Sequence, residues 1–359
     1  MKKKMKNDEL PLSLIESNIL PRLPAKSVGR CMCVCKQWKS FLSRPMFAQI
    51  HLRHVTINDY KLLLLDGLSQ VIFRTLDCEP LYNGLTTVRS KPSPHPSAGC
   101  IIASLNGLVC LAGRPFKLSF WNPLTGAYKR LSSLPDYPFF PLNYNDVVGF
   151  YTDSSNDYKL LYLINGARNG AYIYSNRLDS WRKIDFSVGT AACSERPQST
   201  LCGQFVYFKA SHRWIICFDV KTEKFRKIQC PPVPGGAKSY RRSLVVLHGC
   251  IHLCVSYKII INDIRWMHGD IWRMDGDDGW VKVAAFSDPQ PLHKKFTWPH
   301  IYTTSIGNWL AVLDKDSISL DKMKSEDFKR HYPCFSTPSW EYRFSRMIYV
   351  ETLVSPLNP

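Results

Sequence analysis

Two hydrophobic periods divide the chain. Between Leu10 and Leu52 apolar residues recur at helical spacing; from Ile57 onward they alternate, in short runs that stop at turn residues. Leu14, Ile15, Ile19 and Leu20 fall on one helical face. Ser13 and Glu16 precede them as a capping box, in which the Ser13 hydroxyl accepts from the Glu16 amide and the carboxylate reaches back. Pro21 and Pro24 end this helix, since neither can donate the next backbone bond. A second helix is expected from Lys26 to about Met32, and a third carries Val34, Cys35, Trp38, Phe41 and Leu42. A segment of about forty residues cannot bury all these groups by itself. Its apolar face needs cover, from the following domain or from a separate polypeptide.

The rest of the chain predicts hairpins. Asp66-Gly67, Asn106-Gly107, Cys202-Gly203, His248-Gly249 and Gly307-Asn308 each lie between apolar or aromatic runs, and tight hairpin turns need the positive φ that Gly tolerates. Asp153 to Asp157 makes a longer turn of the same kind. A second element recurs between these hairpins. Trp121 and Tyr128, Tyr174 and Trp181, Phe218 and Phe225, and Trp272 and Trp280 are aromatic pairs seven or eight residues apart, with basic and aliphatic residues following, and Leu320 to Phe328 is a worn fifth copy. Successive closing aromatics lie 44 to 55 positions apart. About four strands per repeat suits a β-propeller of kelch-like type with about six blades, the alternative being an open sandwich. Ser90 to Ser97 reads as a loop, and the strand around Ile348 closes the ring against early strands. The aromatics are read as core between sheets. The Lys/Arg pairs beside them are placed on outer strands, as solvated charges that protect the edges.

Composition changes this picture little. The formal charge of +18 raises nucleic-acid binding, but the excess is spread through the repeats. The basic N-terminus is followed by no apolar stretch of a secretory signal, and the 13 cysteines have no framework spacing. They are expected to be reduced thiols in a cytoplasmic or nuclear protein. No apolar run reaches the roughly 18 residues that span a bilayer, so no membrane partner is expected.

Three places carry residue types that could serve catalytic or metal chemistry. His248, Cys250, His252 and Cys254 alternate along one run, but one strand cannot wrap four ligands around one ion. Cys31, Cys33 and Cys35 read as packing residues. Asp275-Gly-Asp-Asp-Gly279 resembles the start of a calcium loop, yet its twelfth position is Phe286 instead of an acid, so it reads as a turn. No phosphate-binding loop or nucleophile elbow occurs, and neither enzymatic activity nor a cofactor is expected.

Leu10-Pro11, Ile19-Leu20-Pro21-Arg22-Leu23-Pro24-Ala25-Lys26-Ser27-Val28, Cys33-Val34-Cys35-Lys36-Gln37-Trp38-Lys39-Ser40 and Pro45-Met46-Phe47, in this order, resemble the F-box motif of plant proteins. Gly107-Leu-Val-Cys-Leu, Trp121-Asn-Pro, Val148-Gly-Phe, Ser180-Trp-Arg-Lys-Ile, Phe218-Asp and Ile271-Trp-Arg-Met resemble landmarks of the plant F-box-associated domain. The resemblance implies a basic tail over 1–7, a three-helix F-box over 8–52 and a propeller-like domain over 53–359. It further implies a substrate receptor of an SCF ubiquitin ligase, held to cullin through a Skp-type adaptor and bound to an unknown target protein. A kelch-like scaffold or an RNA-associated protein is the alternative. Carried over by position, Leu10, Pro11, Ile15, Ile19, Leu20, Leu23, Pro24, Val28, Val34, Cys35 and Trp38 form the adaptor-facing or module-core surface. Two positions depart from the motif. Leu12-Ser13 stands in place of an acidic residue, and Gly29 in place of a bulky apolar one.

Overall fold

The computed structural model describes residues 11–55, 60–66, 72–77, 88–91, 98–113, 117–135, 147–164, 170–186, 199–209, 213–233, 239–261, 264–276, 279–287, 300–303, 309–313, 318–322 and 346–357. The basic tail, Leu10, Gly67, residues 92–97, Asp277, Asp278, Gly307-Asn308 and Phe328 lie outside them.

A small helical module leads into a β-propeller. The module opens with α1 (Leu12–Leu14), which runs into a π-helical stretch Ile15–Ile19 and a 3-10 turn Leu20–Arg22. Then follow α2 (Ala25–Cys31), α3 (Lys36–Leu42) and α4 (Pro45–Leu52). The last was not separated in the three-helix reading. Arg44 is extended and Pro45 takes the first turn, where a missing N–H costs nothing. No helix among the described residues is long and apolar enough to cross a membrane.

The described strands form six antiparallel sheets. The first holds β1 (Tyr60–Asp66), β2 (Ile72–Asp77) and β3 (Val88–Lys91), so Ser90 and Lys91, expected to open a loop, end a strand instead. The second runs β4 (Ala98–Leu105), β5 (Leu108–Gly113), β6 (Lys117–Trp121), β7 (Tyr128–Arg130). The third runs β8 (Val147–Thr152), β9 (Tyr158–Ile164), β10 (Gly170–Ser175), β11 (Ser180–Ile184). The fourth runs β12 (Ser199–Cys202), β13 (Phe205–Lys209), β14 (Trp214–Asp219), β15 (Lys224–Gln229), and the fifth runs β16 (Ser239–Leu247), β17 (Cys250–Ile261), β18 (Ile264–Asp275), β19 (Gly279–Ser287). The sixth shows β20 (His300–Thr303), β21 (Trp309–Leu313) and β22 (Ile318–Lys322). The last strand, β23 (Arg346–Val350), returns to the first sheet and pairs with β1, Lys61 opposite Tyr349. The end of the chain thus supplies the inner strand of the first blade.

The core lies between sheets. Along β9, Leu160, Tyr162 and Ile164 pack toward the second sheet while Leu161 and Leu163 pack toward the fourth. In β13, Val206 and Phe208 face back to the third sheet and Tyr207 forward to the fifth. A propeller blade buries both faces, so its middle strands read as unbroken apolar runs, as parallel-sheet strands do and for the same reason. The alternation expected from the sequence does not describe β5, β9 or β10, which are buried nearly throughout.

The aromatic repeat is the outer hairpin of each blade. Trp121 faces Tyr128, Tyr174 faces Trp181, and Phe218 faces Phe225 across the last two strands. The fourth pair differs: Trp280 faces Met274 and Trp272 faces Lys282, because β18 and β19 run two residues further into a shorter turn. Outer strands also bind the next blade or the previous one. The Trp181 indole donates to the Ser132 carbonyl at 2.8 Å, and that of Trp280 to Gln229, also 2.8 Å. Lys129 donates to the Asn176 carbonyl at 2.7 Å, and Arg182 pairs with Glu223. The outer-strand placement of the basic residues is as expected, but these two fasten neighbouring blades and are not merely solvated.

Candidate functional site

The opening of the module is set by proline. The Pro11 carbonyl accepts from Leu14 at 2.9 Å and from Ile15 at 3.2 Å, so the helix begins one step before Ser13. Ser13 caps nothing; its carbonyl accepts from the Ser17 hydroxyl at 2.7 Å, and the expected capping box does not form. Pro21 does not end the helix at once either. It sits in the first turn of the 3-10 segment, where its lack of a donor is harmless, and the break comes at extended Leu23. Pro24 then leads into α2, and Gly29 is accommodated there with open space beside its Cα.

Cys35 is extended and heads α3, its sulfur accepting from the Trp38 amide at 3.4 Å. Val34 and Cys35 thus precede the third helix instead of lying in it. The interior of the module is Leu20, Val28, Leu42 and Phe47, with Ile15, Leu23, Cys31, Met32, Trp38 and Phe41 around them. His51, 3% exposed, bonds through Nε2 to the Leu23 carbonyl at 2.8 Å and ties α4 to the break after the first helix.

This core leaves several large apolar side chains of the module uncovered. Leu12, Leu14 and Ile19 are each about two-fifths exposed, Val34 is 67% exposed and Met46 71%. Five large apolar side chains in so short a segment form a concentration found nowhere else among the described residues. The residues singled out from the sequence divide between interior and exposed positions. Leu20 and Val28 are interior, Ile15, Leu23 and Trp38 are half-buried against that interior, and Pro11, Ile19, Pro24, Val34 and Cys35 are exposed. Leu10 is not described. Position in the motif does not pick out Leu12, Leu14 or Met46: Leu12 stands where the motif has an acidic residue, Leu14 shows only as part of the helical period, and Met46 depends on the placement of α4.

The module also rests on the β domain. Ala48 of α4 is buried in the cluster between the second and third sheets, and Leu353, just past β23, touches both that cluster and the module core. The Lys26 ammonium lies 2.9 Å from the Glu351 carboxylate. The module is therefore seated on the β domain while these apolar side chains stay open.

The remaining candidates behave as packing or turns. Burial pushes the Cys254 thiol up to about 12 and holds the His252 imidazole below its ordinary range. His252 bonds the Cys250 carbonyl at 3.0 Å, and His248 and Gly249 form the β16–β17 turn with positive φ. No group of three potential metal ligands occurs among the described residues. Cys31 lines the module core, whereas Cys33 and Cys35 are exposed. Gly276, at φ +64, begins the turn after Asp275.

Residues 10–49 match the model of the F-box domain, and residues 82–285, more than half of the chain, match that of the F-box associated beta propeller domain. Similar curated proteins come from Arabidopsis thaliana. F-box protein CPR1 is 25% identical over 82% of this chain and 77% of its own, and F-box/kelch-repeat protein At3g23880 is 26% identical over 97% and 96%. Among solved structures, a putative 6-phosphogluconolactonase from Bacteroides uniformis covers 81% of this chain and 99% of its own at 12% identity, with a TM-score of 0.45. With its N-terminal F-box and the sheets that follow, the chain belongs to the F-box associated beta propeller domain family.

Proposed function

We propose that this chain is the substrate-recognition subunit of an SCF ubiquitin ligase, acting in the cytoplasm or nucleus. Its F-box would bind a Skp-type adaptor and through it cullin, while the propeller holds a target protein. The observation that carries this reading is the exposure of Leu12, Leu14, Ile19, Val34 and Met46 on a module that is already seated on the β domain. Apolar surface of this kind is stabilised when a partner removes it from water, by roughly 25 cal/mol per Å². The chain itself would do no bond chemistry. Holding a target beside a ubiquitin-loaded enzyme raises the effective concentration of its lysines and orients them.

The test is affinity capture of the tagged chain, with and without Ile19→Asp plus Val34→Asp. Both positions are exposed, so the propeller and module stay folded, and adaptor and cullin are expected to disappear from the captured set. Capture that survives the double variant would remove the mechanism. Binding that persists and falls steeply with salt would favour the nucleic-acid-associated alternative.

A further inference from the structure

Beyond Val350 the chain leaves the β1 ladder, and its backbone groups need partners elsewhere. They find them in side chains of two other blades. Asn122, fully buried, donates from Nδ2 to the Thr352 carbonyl at 2.9 Å and to that of Val354 at 2.7 Å. Its Oδ1 meanwhile accepts from the amides of Leu124 and Thr125, which fixes the outer turn of the second sheet. Asn176, in the equivalent turn of the third sheet, donates to the Pro356 carbonyl at 3.1 Å. The Thr352 hydroxyl donates to the Asn106 carbonyl at 2.7 Å, in the β4–β5 turn. There Gly107 has φ +85, and a Cβ on it would lie 2.0 Å from Thr352 Oγ1.

The same segment grips the helical module. Glu351 is 5% exposed, and its carboxylate meets Lys26 of α2 at 2.9 Å. A buried carboxylate is costly without such a partner, so the module supplies a charge that the segment needs. Leu353 packs against the module core and, with Val354, against the cluster that receives Ala48.

We infer that residues Glu351–Leu357 are a strap that fixes the orientation of the F-box on the propeller, and that Lys26, Glu351 and Leu353 are positioning residues for that coupling. The purpose of the strap rests on the receptor reading. A target held by the propeller can be presented to a distant enzyme only if the adaptor-binding module does not swing, because productive transfer depends on orientation as well as proximity.

Hydrogen exchange of the full-length chain tests the strap without any adaptor or target. In Lys26→Glu and in Glu351→Lys, amides of α2 and α4 are expected to exchange about tenfold faster than in the wild type, while β8–β11 and β16–β19 keep their protection. Leu353→Ala, which leaves both charges in place, should open the same helices. Combining Lys26→Glu with Glu351→Lys should bring exchange back to within about threefold of the wild type. Unchanged exchange in the three single variants overturns the inference. So does protection lost evenly through module and propeller, which would make the segment ordinary core. Failure of the wild-type chain to capture an adaptor counts against the receptor reading alone, because the exchange experiment does not involve one.

Discussion

At the scale of single residues, one position can answer to two demands. Gly107 serves the β4–β5 turn, where it and Asn106 both have positive φ, and it also leaves room for Thr352. The turn was legible from Asn-Gly; the close approach was not, because Thr352 lies 245 positions away in the chain. Gly107→Ala should therefore cost about 2 to 4 kcal/mol in urea unfolding, combining left-handed strain with overpacking. A loss below the strain alone would mean that the strap yields easily. His252 supplies a pH signature. Burial, the first cause, and then Arg273 and His248 hold its imidazole below the ordinary value of 6.5, against the raising effect of the Cys250 carbonyl. The unfolded chain takes up this proton as pH falls below 6.5 while the folded chain resists, so stability present above that pH is lost below it. Stability should therefore fall between about pH 7.5 and 5.5, and His252→Gln should reduce that fall. Equal slopes in the two proteins would contradict the assignment.

At the scale of elements, sequence periodicity located the pieces better than their ends. The helical stretch, the hairpins at Asn106-Gly107, Cys202-Gly203 and His248-Gly249 and the first three aromatic hairpins stand where the pattern put them, the fourth is shifted in register, and Gly67, Gly307-Asn308 and Phe328 lie outside the described residues. The capping box failed because Pro11, a backbone acceptor, opens the helix ahead of Ser13. Alternation failed for the middle strands because a blade between two blades has no wet face. The candidate site was half legible: position in the motif picked Ile19 and Val34, yet could not separate them from interior Leu20 and Val28. That distinction gives a prediction. Leu20→Asp places an unpaired charge in the module core, at a cost of about 4 kcal/mol or more, and should make residues 11–55 sensitive to protease as well as unable to bind. Ile19→Asp should lose binding and keep protease resistance. Equal protease sensitivity in the two variants would show that both positions are structural.

At the scale of the molecule, the chain builds two surfaces and one joint. The F-box exposes apolar side chains and is seated on the propeller, and the segment from β23 onward both completes the first blade and reaches the module. The most direct measurement is a calorimetric titration of a purified Skp-type adaptor into the full-length chain, followed by hydrogen exchange of the complex. The account predicts one adaptor per chain, at a Kd of about a micromolar or tighter, with new protection confined to Leu12–Ile19, to Cys33–Lys36 and to the start of α4 around Met46. No heat of binding, or protection that falls on the outer strands of the propeller while the helical face goes on exchanging freely, would contradict it.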